Sequence, residues 1–218
     1  MAEFIKPDWP APDNVVALTT TRQGGASEAP YAALNLGFHV GDKPEAVAEN
    51  RLLLAAELPS GAAPCWLQQV HGTEVVEAGP ARQFSEADAA WSRSANSACA
   101  VLTADCLPVL LCSRQGDVVA AVHAGWRGLV SGIVEQTVAA MGSEPGQLMA
   151  WLGPAISQKA FEVGPEVREQ FVKSTPGPQT EGCFLPSQAR AGHYYADLYE
   201  LARIRLRGCG VSQLYGGG

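Results

Sequence analysis

The strongest constraint on this chain is the stretch Cys99–Gly128, CAVLTADCLPVLLCSRQGDVVAAVHAGWRG. Two runs rich in Val, Leu and Ala, Cys99–Cys112 and Val118–Ala124, flank the polar Ser113-Arg-Gln-Gly-Asp117. A short polar gap between two apolar, β-branched runs predicts a β-hairpin. Asp105, Cys106 and His123 sit inside these runs, although a strand core does not ask for them. In an antiparallel pair the facing residue numbers have a constant sum. A turn centred between Arg114 and Gln115 makes that sum 229, which sets Cys106 opposite His123. An even-length turn one step away leaves them diagonal on one face, within reach of a shared ion; an odd-length turn puts them on opposite faces. Trp126-Arg-Gly128 then turns the strand into a helix.

The rest of the chain reads as α+β. Residues 14–21, NVVALTTT, alternate like a strand, and 31–37 read as loop and short strand. Asp42 is the expected N-cap of a helix from Pro44 to about Leu58, with Val47, Leu54 and Leu58 as its apolar stripe. Arg51 falls on that stripe, either snorkelling outwards or aimed at an anionic ligand. Residues 65–76 read as strand, a kink near Gly72, and strand, with polar groups on both faces. Leu129, Val130, Ile133, Val134, Val138 and Met141 form one helix stripe that Gly142 terminates. Met149–Leu152 is a short buried strand, and Glu162-Val-Gly-Pro165 leads into a helix ending near Val172. Residues 173–192, with three prolines and three glycines, read as a long surface loop. Asp197 caps a last helix, Leu198–Arg207, which stops at Gly208. Val211–Gly218 begins like a strand and ends in three glycines.

The 218 residues suffice for one large domain with a substantial core. A net charge of −7 argues against nucleic acid or an anionic membrane as partner, but leaves room for a small cationic pocket. Six cysteines without a C-x-x-C pair, no 18-residue apolar run and no apolar leader at the N-terminus make the cytoplasm, with reduced thiols, the expected location.

A thiolate and two imidazoles form a standard set for a divalent metal, and three protein ligands with an open fourth position are the usual catalytic arrangement for zinc. His71, Cys106 and His123 supply that set, although spacings of 35 and 17 residues match no local metal motif. The bland alternative is a buried cysteine and two unrelated histidines. A second functional reading makes Cys106 a nucleophile activated by His123 and oriented by Asp105. Strand alternation points Asp105 away from Cys106 unless the strand bulges there, and otherwise leaves Asp105 a turn residue. Arg127, at a helix start, suits an anion such as phosphate. His39 and His193 show no partner pattern.

Leu67-Gln-Gln-Val-His-Gly72, Thr103-Ala-Asp-Cys-Leu-Pro108 and Ala121-Val-His-Ala-Gly-Trp-Arg-Gly128 together resemble the YfiH-like proteins, also labelled polyphenol oxidase (laccase domain) proteins and peptidoglycan editing factors. Thr21–Gly25, Leu34-Asn-Leu-Gly37, Asn50-Arg51, Gly153–Ile156 and Phe161–Gly164 extend the likeness over nearly the whole chain. The resemblance implies a single-domain layered α/β/β/α sandwich with two mixed β-sheets spanning 1–218. It implies zinc at His71, Cys106 and His123, catalysis by Asp105, Cys106 and Arg127, and substrate or phosphate contacts at Asn35, Arg51, Gln68 and Arg127. The implied substrates are purine nucleosides with phosphate: phosphorolysis of adenosine, inosine and methylthioadenosine, with adenosine deamination, by a monomer or homodimer. Laccase-like phenol oxidation and peptidoglycan-precursor editing are also attached to the family. Two departures stand out: the family's C-terminal segment with paired arginines is not in this sequence, and the aspartate motif before the hairpin is here Asp88-Ala-Ala-Trp-Ser92. A multicopper laccase needs several imidazoles at each copper centre, and four histidines cannot supply them; one copper at the same three ligands remains an alternative to zinc.

Overall fold

The computed structural model describes residues 3–59 and 61–217. In chain order these form β1 (Phe4–Ile5), β2 (Thr19–Thr20), α1 (Pro44–Ala56), β3 (Ala63–Cys65), β4 (Val75–Glu77), β5 (Ala89–Ser92), β6 (Ser97–Cys99), β7 (Leu107–Ser113), β8 (Val119–Ala124), α2 (Trp126–Ser131), α3 (Ile133–Met141), β9 (Leu148–Leu152), β10 (Glu162–Val163), α4 (Pro165–Ser174), α5 (Pro178–Gly182), β11 (Phe184–Pro186), β12 (Tyr194–Ala196), α6 (Leu198–Gly208) and β13 (Gln213–Gly216). The class is mixed α and β in a single domain. One six-stranded mixed sheet, ordered β13-β9-β7-β8-β5-β4, carries the architecture, and three smaller sheets surround it: β10-β12-β11, β3-β6 and β1-β2.

The expected hairpin is β7-β8 at the centre of that sheet. Pro108 faces His123 and Leu107 faces Ala124, so the facing numbers sum to 231 rather than 229. The turn is centred between Gln115 and Gly116, because the Ser113 and Asp117 ends close on each other: Ser113 N–H donates to Val118 O at 3.0 Å and Asp117 N–H to Ser113 Oγ at 3.1 Å. Gly116 supplies the left-handed φ of +70° that this turn requires. Cys106 therefore lies two positions before the residue opposite His123, just ahead of β7. The apolar run 99–112 is not one strand. Ser97–Cys99 pairs with β3, and 100–106 cross between sheets with Thr103, Ala104 and Asp105 exposed.

Alternation along β7, β8 and β9 gives the sheet two distinct faces. Leu107, Val109, Leu111, Val122, Leu148 and Leu152 point to one side and pack on Ile133, Val134 and Met141 of α3, Phe171 of α4, and Leu201 and Leu206 of α6. Burying each such side chain is worth about 1.5–3 kcal/mol, so this face is where most of the core stabilisation lies. The opposite face bears Pro108, Leu110, Ala121 and His123, and looks into a groove covered by the N-terminal segments.

Several local expectations change. The predicted single helix 129–141 is broken at Gly132, whose φ of +103° ends α2 and begins α3. Lys43, not Asp42, is the N-cap of α1; Asp42 accepts from Lys43 N and Asn35 Nδ2 instead. Only Thr19–Thr20 of 14–21 is strand, and 31–37 contains no strand but leads into a 3-10 turn at Phe38–Val40. Between β3 and β4 the expected kink near Gly72 falls at His71, which has a φ of +60°, but 66–74 around it are loop rather than strand. The surface loop expected over 173–192 contains α5 and β11, where Thr180, Cys183 and Phe184 bury against the core. Asp197 caps α6 as expected, accepting from Glu200 N at 2.9 Å. The final glycine, Gly218, lies outside the described residues.

Phe171 is 1% exposed and packs with its ring centroid 6.0 Å from that of Phe184. Phe171→Ala is expected to lower unfolding free energy by about 3–5 kcal/mol in urea titration. A loss below about 1 kcal/mol contradicts the placement of α4 in the core.

Candidate metal centre

His71, Cys106 and His123 come from three different settings. His123 is anchored in central strand β8 and is 4% exposed. Cys106 ends the crossing loop 100–106, and His71 lies on the loop between β3 and β4. Their donor atoms all lie within 4.8 Å of one another, with Cys106 Sγ and His71 Nε2 3.7 Å apart. The imidazole rings meet edge to face at 4.7 Å. Two imidazole nitrogens and a thiol gathered this closely fit a single transition-metal ion. Gly125 keeps the space clear: a Cβ there would lie 2.8 Å from Cys106 Sγ and 2.9 Å from His71 Cδ2.

Asp88 builds this arrangement. It immediately precedes β5, whose register with β8 continues to set Asp88 opposite His123, and His123 N–H donates to Asp88 O at 2.7 Å. The Asp88 carboxylate is completely buried and accepts four hydrogen bonds. Oδ1 takes His123 Nδ1 at 2.7 Å and His71 N–H at 2.9 Å; Oδ2 takes Gly72 N–H at 2.7 Å and Val70 N–H at 3.2 Å. The left-handed His71 backbone is thus held by three consecutive N–H groups converging on one carboxylate. In the neutral ring Nδ1–H donates to Asp88, which leaves the Nε2 lone pair for a metal.

Burial opposes charge on His123, but Asp88 and the Cys106 side chain outweigh it and push its pKa up to about 9. Burial and the neighbouring His123 lower the pKa of His71, with Arg127 adding to the effect. Asp88 is held below the usual carboxylate range: burial works against this, and the His123 hydrogen bond with the Gly72 and Val70 amides prevails.

The two arginines differ. Arg51 donates Nε–H to Leu36 O at 2.9 Å, with its guanidinium 3.9 Å from the Trp66 ring centroid and 4.5 Å from that of Phe38. It lines the groove, and burial brings its pKa down to about 10, so it stays cationic at neutral pH. Arg127 is exposed, stacks 4.5 Å from Trp126, and stands outside the groove lining. Its helix, α2, has only six residues, too few for a strong terminal dipole. Asp105 lines the groove beside Cys106; because 100–106 is not strand, alternation does not separate their side chains. Gln68 is an exposed part of the lining. Asn35 lines the groove but spends its amide on Gly37 and Asp42. His39 and His193 join no metal-type cluster among the described residues.

Sequence reasoning named neither Asp88, Gln69 nor Asn50 as site or scaffold residues. Asp88 carried a signal, a lone carboxylate inside Ala87-Asp-Ala-Ala90. Gln69 clasps the backbone of Leu102. Asn50, completely buried, ties Ala26, Ser27, Ala33 and Asn35 to α1.

The raised His123 pKa fixes a sign. A group whose folded pKa exceeds its unfolded value of 6.5 contributes stability that is present below 6.5 and lost as pH rises through about 9. In metal-free protein, the destabilisation by Asp88→Asn is therefore expected to be larger just below pH 6.5 than above about 9. Urea titrations across that range give the check, and an equal penalty at both ends contradicts the pairing.

Residues 16–218 match the family model described as multi-copper polyphenol oxidoreductase laccase. Purine nucleoside phosphorylase PA4543 of Pseudomonas aeruginosa is 52% identical over 218 residues, covering 100% of this chain and 88% of that protein. Purine nucleoside phosphorylase YfiH of Escherichia coli is 48% identical over 220 residues, covering 100% and 88%. The crystal structure of Neisseria meningitidis protein NMB0706 superposes with a TM-score of 0.92 at 49% identity, covering 99% of this chain and 87% of that one. Matched by the family model over residues 16–218 and about half identical to these relatives along its whole length, the chain belongs to the laccase-like YfiH family.

Proposed function

We propose that the chain is a zinc-dependent purine nucleoside enzyme, cleaving adenosine, inosine or methylthioadenosine with phosphate and deaminating adenosine. The observation that carries this reading is the His71–Cys106–His123 cluster, backed by a buried carboxylate, on the wall of a groove that also presents Arg51. The names of the Pseudomonas and Escherichia relatives support the substrate class. The groove, about 1790 Å³, exceeds the volume a nucleoside and a phosphate need.

His71, Cys106 and His123 hold the ion, with Cys106 a ligand rather than a covalent nucleophile. Bound there, zinc supplies Lewis acidity and activation of water. Asp88 keeps the Nδ1 proton of His123 in place, so that Nε2 stays directed at the ion. Arg127, exposed at the start of α2 three residues after Ala124 and outside the groove lining, holds phosphate at the groove's edge. Arg51, fixed between Phe38 and Trp66, holds the anionic or ribose side of the substrate within the groove. Gln68, exposed on the groove lining, contacts the nucleoside directly, and Asn35 reaches it only by giving up a bond to Gly37 or Asp42. Asp105, exposed on the groove lining beside Cys106, is the carboxylate placed for proton transfer at the site. The protein acts in the cytoplasm as a monomer or homodimer.

Copper at the same three side chains is the second reading, and the family description favours it. Of the four histidines, only His71 and His123 share the cluster, which argues against several copper centres.

Arg127→Lys keeps the charge and loses the bidentate fork. Phosphorolysis is expected to fall by about 10- to 150-fold, the equivalent of a charge-assisted hydrogen bond worth about 1.5–3 kcal/mol. Deamination, which uses no phosphate, should fall much less. Adenine and inosine are followed separately from adenosine, with and without phosphate, for both proteins. Equal loss of both products removes Arg127 from the phosphate site, and a wild-type protein that forms neither product refutes the nucleoside reading.

A further inference from the structure

His71 and Cys106 are the two members of the cluster that no strand carries. His71 lies on the loop between β3 and β4, and Cys106 at the end of the crossing between β6 and β7. Asp88 secures the 70–72 backbone to β5, and Asp105 O accepts Ile156 N–H at 3.0 Å beside Cys106. Neither contact fixes one loop against the other. Both loops leave the paired strands β3 and β6 at Cys65 and Cys99, and beyond that pairing the connection is made by Gln69, two residues before His71. Its Oε1 accepts Leu102 N–H at 2.7 Å, and its Nε2 donates to Leu102 O at 2.8 Å. Both polar groups of one backbone residue are thus taken by both ends of one primary amide. Such a two-point clasp fixes orientation as well as distance, which a single hydrogen bond does not.

We propose that Gln69 is a positioning residue for the metal centre: its clasp on Leu102 sets the spacing of His71 and Cys106, and hence the affinity for the ion and the geometry around it. This rests on the reading of His71, Cys106 and His123 as metal ligands. The residue type is specific to the task. Glutamate keeps the acceptor for Leu102 N–H but turns a second oxygen towards Leu102 O, and alanine removes both bonds. Asparagine offers the same amide on a stem one methylene shorter. Partners that orient metal ligands from outside the coordination shell typically contribute about 10- to 100-fold in metal affinity, and a clasp joining two ligand loops belongs in that range.

Co2+ is the probe, because a thiolate ligand gives it a near-ultraviolet charge-transfer band and its visible bands report geometry. Metal-free wild type, Gln69→Ala and Gln69→Glu are titrated with Co2+, and circular dichroism monitors folding. Leu201→Ala, in the α6 core and remote from both loops, is the control for general destabilisation. Wild type is expected to bind one Co2+ with the thiolate band. Gln69→Ala should bind about 10- to 100-fold more weakly with shifted visible bands, Gln69→Glu should also bind more weakly, and Leu201→Ala should keep the wild-type affinity and spectrum. If Gln69→Ala does not fold, Gln69→Glu carries the test. Wild-type affinity and spectrum in the folded Gln69 variants, or an equal loss in Leu201→Ala, overturns the proposal. Wild-type protein that binds no Co2+ through a thiolate overturns the metal reading itself, and the clasp's role with it.

Discussion

A carboxylate sealed from water must be hydrogen-bonded on every side or lose its charge, and Asp88 shows what a fold gains by meeting that demand. Its two oxygens collect the amides of residues 70–72 from one loop and the imidazole of His123 from the central strand. Without this acceptor the three amides would be donors with no partner, His71 would have no reason to hold a left-handed backbone, and His123 would be free to choose its tautomer. One side chain therefore places one histidine and orients another.

The sheet makes this possible by dividing labour between its faces. On the helix side, β7, β8 and β9 present mainly aliphatic side chains, packed on α3, α4 and α6. That side stabilises the molecule without any chemical role. On the groove side the same strands present His123 and lead directly from Cys106, and the N-terminal segments and α1 bring Asn35 and Arg51 to the opposite wall. Arg51 is half-buried there. Its guanidinium lies over Trp66 and Phe38, and this fixes a cation in an otherwise acidic protein.

Features determined by neighbours along the chain are legible in the amino-acid order alone. The hairpin, the Asp197 cap and the stop at Gly142 follow from residues a few positions apart. The hairpin register differs from expectation by an even step, which keeps His123 on the groove face, while Cys106 reaches it from the crossing loop just before β7. The helix break at Gly132 is hidden because the apolar stripe of α2 runs on into α3. The scaffold of the site is not legible. Asp88 acts on partners 16–18 and 35 residues away, Gln69 on one 33 away and Asn50 on partners 15–24 away. Pairing across such distances is a product of the fold, and neither periodicity nor local motif encodes it. The resemblance, carried by the motifs around His71, Cys106 and His123, is what joins three distant residues into one centre.

The central claim is that these three side chains form one metal centre. X-ray absorption at the zinc edge of the zinc-loaded protein tests it most directly. The account predicts a single site with two imidazole nitrogens at about 2.0–2.1 Å and one sulfur at about 2.3 Å, completed by a light atom from solvent or substrate. A first shell without sulfur, or with one imidazole or none, contradicts it.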